Sequence, residues 1–308
     1  MATLLIEDPI FLHHHVPAGH PERPARLEAV TAALGGERFA GLTRATSEAA
    51  ALDRVLLAHD GRYVEELQKE LPEAGIVQIE ADSYLSPESF AVALHAAGAA
   101  CGAVDVVMAG TVANAFVAAR PPGHHAEADH PMGFCLFNNA AIAARHARDR
   151  HGATRVAIVD WDVHHGNGTQ AIFWDDASTL YASTHQMPLY PGTGAMSETG
   201  AGNIVNAPLH EGDEGDEFRE AMIARVLPAL EAFAPDLIVI SAGFDAHWRD
   251  PLAGLNLKAE DFAWATEAVM AIADRTCGGR IVSLLEGGYD LTGLAESVAA
   301  HVAVLMTA

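Results

Sequence analysis

The chain of 308 residues is short of cations, of cysteine and of long apolar runs. Lys and Arg number 18 against 41 Asp and Glu, a net charge of −23 at pH 7. Phosphate contacts need clustered Lys and Arg, so nucleic acid is not an expected partner. Adsorption to an anionic membrane is disfavoured for the same reason. The three cysteines, Cys101, Cys135 and Cys277, are far apart and form no CxxC. That pattern suits neither a disulfide framework nor a thiolate zinc site, and it points to a reducing, cytoplasmic setting. The N-terminal stretch has no basic region and too short an apolar run for a signal peptide. No stretch of about 20 uncharged apolar residues is found, so no membrane span is expected. HExxH, GxSxG and P-loop signatures are missing, as are internal repeats and low-complexity linkers.

Half of the residues are hydrophobic and 19% are charged, ordinary for a globular protein with a large core. Composition is even along the chain, which predicts one domain over residues 1–308. Apolar runs at 114–119, 155–161, 179–184, 237–242 and 280–285 read as buried parallel strands. Segments 87–109, 138–150, 216–233, 258–276 and 293–306 read as helices. Alternation of the two predicts an α/β fold built on a parallel sheet. Polar motifs follow four of the apolar runs. Ligands gather at the carboxyl ends of strands in such sheets, so four motifs there predict one shared site.

In Asp160-Trp161-Asp162-Val163-His164, an extended backbone would send residues i, i+2 and i+4 to one side. Two carboxylates and an imidazole brought together suit a divalent metal of the zinc or iron type. Taken alone, the pattern is more often a hydrogen-bonded strand end with a solvated histidine. Asp245, after run 237–242, supplies a third donor and leaves coordination open, as in catalytic zinc sites; its alternative is a turn or helix cap. His124-His125 follow Pro121-Pro122-Gly123, so they sit on a loop. Such a pair could serve as base and electrostatic partner, with Asp160 and Asn167 available to set the tautomers, or could be exposed loop histidines. Tyr289, in Glu286-Gly287-Gly288-Tyr289, could donate to an oxyanion or simply pack at the sheet edge. Gly166-Asn167-Gly168-Thr169-Gln170-Ala171 matches a dinucleotide fingerprint. However, no acidic residue closes the next strand, and His164-His165 would crowd the phosphate turn.

These motifs together resemble the zinc-dependent histone deacetylase family. The likeness is carried by His20-Pro21-Glu22-Arg23-Pro24, 120–126, Gly133-Phe134-Cys135, 160–168, 190–194, 241–245 and 286–289, in the family's order. The 162–168 segment is closest to the class II type and its bacterial relatives. The resemblance implies the arginase/deacetylase fold, a parallel sheet of about eight strands flanked by helices. The two-manganese arginase motifs are missing, so one Zn²⁺ per chain is implied, held by Asp162, His164 and Asp245. It further implies that His124 and His125 are the acid–base pair, backed by Asp160 and Asn167, and that Tyr289 stabilises the oxyanion. Where some members carry Asp, Asn167 is a neutral amide, which leaves the division of proton transfer between the two histidines open. Phe134 and Tyr190 match the walls of the family's channel, Gly133 its stem contact and Asp82 its rim. Structural K⁺ is implied at Asp160, Asp162, His164, Ser183 and Thr184, and again at Phe173, Asp176 and Thr179.

The implied reaction is removal of an acetyl or related acyl group from a lysine side chain or similar amine by zinc-activated water. Acetylpolyamines are the alternative substrate. Leu252 stands where polyamine-selective relatives carry Glu, which favours acyl-lysine. A metal-free binding module is the alternative from another class, opposed by the fact that every chemical position is filled. Oligomeric state is not readable.

Overall fold

Runs that are apolar at nearly every position fold here as strands covered on both faces. A computed structural model describes residues 2–308. Its strands are β1 (Thr3–Ile6), β2 (Thr43–Ala45), β3 (Val77–Gln78), β4 (Tyr84–Leu85), β5 (Asn114–Val117), β6 (Val156–Asp160), β7 (Thr179–Gln186), β8 (Ile204–Leu209), β9 (Leu237–Ala242) and β10 (Ile281–Leu285). Eight form one sheet in the order β2-β1-β5-β10-β9-β6-β7-β8, with every pairing parallel. β3 and β4 make a small antiparallel hairpin apart from it. The helices are α1 (Ala25–Leu34), α2 (Leu52–Val55), α3 (Gly61–Lys69), α4 (Ser89–Met108), α5 (Asn139–His151), α6 (Asn167–Ile172), α7 (Gly215–Ala221), α8 (Leu227–Phe233), α9 (Ala259–Cys277) and α10 (Leu291–Leu305). Strand–helix alternation with helices flanking a parallel sheet is the α/β architecture expected.

The five expected strands are all present, with β9 at the expected bounds. β1, β2 and β8 were not legible. β2 and β8 are the sheet's two edges. β2 is exposed throughout, and β8 carries Asn206 and Pro208, so neither shows a continuous apolar run.

Helix 216–233 is not one regular helix. α7 passes through a π turn at Met222–Val226 into α8. Pro228, near the start of α8, has no N–H to give the preceding turn, and the ladder is displaced there. α5 and α10 begin on side-chain caps. Asn138 accepts from Ala141 N, and Asp290 from Gly293 N.

α4 qualifies by length and composition as a membrane-crossing helix, with Asp105 its sole charge. Yet 61% of its most apolar stretch is buried inside the fold, against α5, β5 and β10. Its Ala and Gly content permits this close packing.

Candidate active site and metal centre

Strands β5, β10, β9 and β6 are adjacent, and all end on the same edge of the sheet. Their following segments carry the four polar motifs to one place. The sequence suggests that strand alternation aligns Asp160, Asp162 and His164. In fact β6 stops at Asp160, and two successive turns do the work. Asp162 N donates to Asp160 Oδ1 (3.1 Å), and His164 N to Asp162 Oδ1 (2.9 Å). A carboxylate that accepts from the backbone two residues on curls the chain tightly.

Beyond β9, Asp245 Oδ1 accepts from Val163 N at 2.8 Å, while Gly287 N donates to Asp162 Oδ2 at 2.8 Å. His164 Nδ1 consequently lies 3.1 Å from Asp162 Oδ1 and 3.2 Å from Asp245 Oδ2. One donor atom from each of the three residues lies within 4.8 Å of the others. All three are buried, as are Asp160 and Glu286 beside them. Four buried carboxylates require cations, and two carboxylate oxygens with one imidazole nitrogen suit a borderline divalent ion. The residues therefore fit a metal. Burial opposes charge on His164, but its bonds to Asp162 and Asp245 raise it to about 10. Burial, reinforced by the charge of Asp162, pushes the Asp245 carboxyl above its ordinary value.

The two histidines of the β5 loop differ in what lies behind them. His124 Nδ1 meets the Asp160 carboxylate at 3.1 Å, whereas His125 Nδ1 meets the Asn167 amide oxygen at 2.8 Å. Burial disfavours the cation in both. In His124 the charges of Asp162 and Asp160 outweigh burial and raise the group to about 10. In His125 burial, with His124 and His164, drives it well below its ordinary value. The rings lie 4.1 Å apart, centre to centre. A carboxylate behind one imidazole and a neutral amide behind the other push the two in opposite directions.

A cavity of about 240 Å³ opens onto this cluster, lined by Asp82, His125, Gly133, Phe134, His164, Leu189, Tyr190, Leu252 and Tyr289. It includes every residue expected to line a channel, and adds Leu189. Tyr289, His125 and His164 form its buried end, whereas Tyr190 is 39% exposed. Phe134 stands edge-on to Tyr289 at 5.8 Å, and Tyr190 edge-on to His125 at 5.2 Å. Gly133 has φ +54°, and a Cβ there would come within 2.4 Å of His125 Cδ2. Only glycine lets the wall pass so close to that ring. A larger groove of about 910 Å³, along α1 and β2, shares no residue with this one.

A family profile described as the histone deacetylase domain matches residues 20–305. The chain belongs to the histone deacetylase family. It is 42% identical to a histone deacetylase-like amidohydrolase of Pseudomonas aeruginosa, over 88% of this chain and 73% of that protein. It is 39% identical to histone deacetylase 10, chloroplastic, of Oryza sativa subsp. japonica, over 92% and 69%. The crystal structure of the HDA15 HD domain superposes with a TM-score of 0.93 at 36% identity, covering 100% of this chain and 89% of that one.

Within this deacetylase fold, the Gly-x-Gly segment serves the site and not a nucleotide. A Cβ on Gly166 would lie 2.5 Å from Asp160 Oδ2 and 2.6 Å from Tyr181 Oη. Of the positions considered for K⁺, Asp160 and Ser183 are paired across β6 and β7, and the buried Thr184 Oγ1 has no hydrogen-bond partner. The carbonyls of Phe173, Asp176 and Thr179 do converge, but on Asn203 Nδ2, at 2.8, 3.2 and 2.8 Å.

A buried charged group behind Tyr289 was not read from the sequence as functional. Glu22 bonds Arg26 Nη1 at 3.2 Å, and Arg120 through both carboxylate oxygens. Arg26 donates to the carbonyls of Glu286 and Gly288, and its guanidinium lies 4.9 Å from the Tyr289 ring centre. Glu286 Oε2 accepts from Gly123 N (2.6 Å) and His124 N (3.2 Å), tying β10 to the histidine loop. The available signal was Glu22 and Arg26 at helical i, i+4 spacing, with Arg120 closing an apolar strand.

Proposed function

We propose that the chain is a single-domain, zinc-dependent deacetylase that hydrolyses acyl-lysine amides at the buried end of the cavity. The observation that carries this reading is the meeting of Asp162, His164 and Asp245 with the unlike histidines and Tyr289 in one narrow, apolar-walled cavity. Asp162, His164 and Asp245 hold the ion. When bound, zinc supplies Lewis acidity, polarising the amide carbonyl and acidifying water.

The other roles belong to the protein. His125, kept neutral and with Nδ1 on the Asn167 oxygen, presents Nε2 to take a proton from water. His124, paired with Asp160, keeps its proton and stabilises the negative charge that develops. The proton gained by His125 is then returned to the leaving amine. Tyr289 donates its phenolic hydrogen to the developing oxyanion. Phe134 and Tyr190 guide the aliphatic stem and exclude water, Gly133 contacts it, and Leu252 and Asp82 stand at the rim.

A K⁺ ion at the Asp160, Asp162, His164, Ser183 and Thr184 group agrees with the surplus of buried carboxylate. A second K⁺ ion is proposed beside Phe173, Asp176 and Thr179, whose converging carbonyls keep free lone pairs beyond their bonds to Asn203 Nδ2. Cytoplasmic placement is consistent with three cysteines that are all unpaired and buried.

The substrate class follows from Leu252. A neutral side chain at the rim offers no counter-charge to a second ammonium, which favours acyl-lysine in a protein over an acetylpolyamine. The test is kcat/KM on acetyl-lysine peptides against acetylated polyamines. Preference for the peptides supports the proposal, and preference for acetylspermidine replaces it with the polyamine reading. No turnover of either would leave a binding module.

A further inference from the structure

Away from the cavity, the C-terminal ends of α4 and α5 bring a second set of metal-binding side chains to one point. Asp105 lies in the last turn of α4, His151 is the last residue of α5, and His146 precedes it by five residues. Both imidazole Nε2 atoms meet the same oxygen, Asp105 Oδ1, at 2.8 Å from His146 and 2.6 Å from His151. One donor atom from each residue lies within 4.8 Å of the others, and the two rings are 5.9 Å apart.

Two nitrogens and a carboxylate oxygen form a donor set for a borderline divalent transition ion. The setting also favours positive charge. Two helix C-termini meet here, each carrying partial negative charge on its last carbonyls. The side chains of Asp105 and His151 are 48% and 22% exposed, so water can complete the coordination. One feature limits affinity: His146 Nδ1 is buried without a partner. Coordination through Nε2 places the imidazole proton on Nδ1, where nothing accepts it.

We propose that Asp105, His146 and His151 form a peripheral site for a divalent transition ion, weaker than the catalytic centre, that clamps α4 to α5. The full chain, stripped by chelation, is titrated with Co²⁺ by calorimetry and visible absorption, and its unfolding temperature is followed. Wild type should bind one more equivalent than His151→Ala, in a weaker class of sites. Occupying that class should raise the unfolding temperature of wild type and not of the variant. Asp105→Asn should weaken this class by at least about tenfold, the loss expected when an anionic ligand becomes neutral. His151→Gln repeats the measurement should the alanine variant fold poorly. Glu127, Asp129 and His130 also bring donor atoms within 4.8 Å of one another, and His130→Ala there should leave the extra equivalent in place. Because the readout is a difference between wild type and variant, it does not depend on whether the catalytic centre is loaded. Equal stoichiometry in folded wild type and His151→Ala overturns the proposal, leaving a hydrogen-bonded helix clamp. Loss of the equivalent in His130→Ala, with retention in His151→Ala, also overturns it.

Discussion

Tyr289→Phe removes one hydroxyl and little else. The ring is buried, held edge-on to Phe134 at 5.8 Å and beneath the Arg26 guanidinium at 4.9 Å, and both contacts survive in phenylalanine. The backbone is fixed independently, since Tyr289 N donates to Asp250 Oδ2 at 2.7 Å. None of the three candidate metal ligands is bonded to the phenol in this structure, so metal content should not change. What disappears is the hydroxyl proposed to donate to the oxyanion, at the buried end of the cavity. One such donor contributes about 2.7–4 kcal/mol to the transition state, so kcat should fall roughly 10²–10³-fold. KM should move less than kcat, because the bond strengthens as charge develops. The assay is steady-state turnover of an acetyl-lysine peptide, with metal analysis and thermal unfolding as controls. A folded, metal-loaded variant with kcat near wild type would refute the reasoning and reduce Tyr289 to a packing residue.

The remaining expectations concern the histidines, the rim and the buried ion group. His125→Ala and His124→Ala should each lower kcat by about 10²–10⁴-fold with metal content unchanged. His125→Ala should abolish the alkaline-activated limb of the pH profile, and metal loss in either variant would make that histidine a ligand. Leu252→Glu puts a carboxylate at the rim, ~5–7 Å from a distal ammonium, worth ~1–2 kcal/mol at an effective dielectric of about 20–40. The gain in kcat/KM for acetylspermidine should be roughly 5–30-fold, shrinking as salt rises, with none for a neutral acetyl-lysine peptide. Burial would raise the Glu22 carboxyl, yet Arg120 and Arg26 hold it at about 2, below its ordinary 4.5. A depressed carboxyl contributes stability that is complete above pH 4.5 and lost as pH falls toward 2. Glu22→Gln should flatten that part of the stability–pH curve. It should also cost about 3–5 kcal/mol at neutral pH by leaving buried arginines unpaired; denaturant titrations across pH measure both.

The sequence disclosed the sheet's interior far better than its edges. Leu237–Ala242 is apolar at five of six positions because both faces are covered, so pattern and structure coincide. Thr43–Ala45 is exposed at every position and pairs on one side, so no hydrophobic pattern marks it. Run 216–233 keeps a helical period, but the period does not register what Pro228 does to the backbone ladder. At the site, residue types and their order exposed Asp162, His164, Asp245 and the histidine pair. How the first two converge was misread, because side-chain-to-backbone turns, and not strand alternation, curl 160–164. Glu22, Arg26 and Arg120 were missed as a working group because nearly 100 residues separate Glu22 from Arg120, and charged residues give no sign in sequence of being buried. Asn203 was missed because its role depends on three carbonyls that only the fold brings together.

The proposed chemistry requires one catalytic ion held by Asp162, His164 and Asp245. The most direct measurement strips the protein by chelation, returns Zn²⁺ or Co²⁺ in fractions of an equivalent, and follows acetyl-lysine peptide turnover at each step. The stripped protein should show no turnover, recovery should be linear and saturate at about one ion per chain, and Asp245→Ala should fail to recover. Turnover that survives stripping, or that requires two manganese ions per chain, would contradict it.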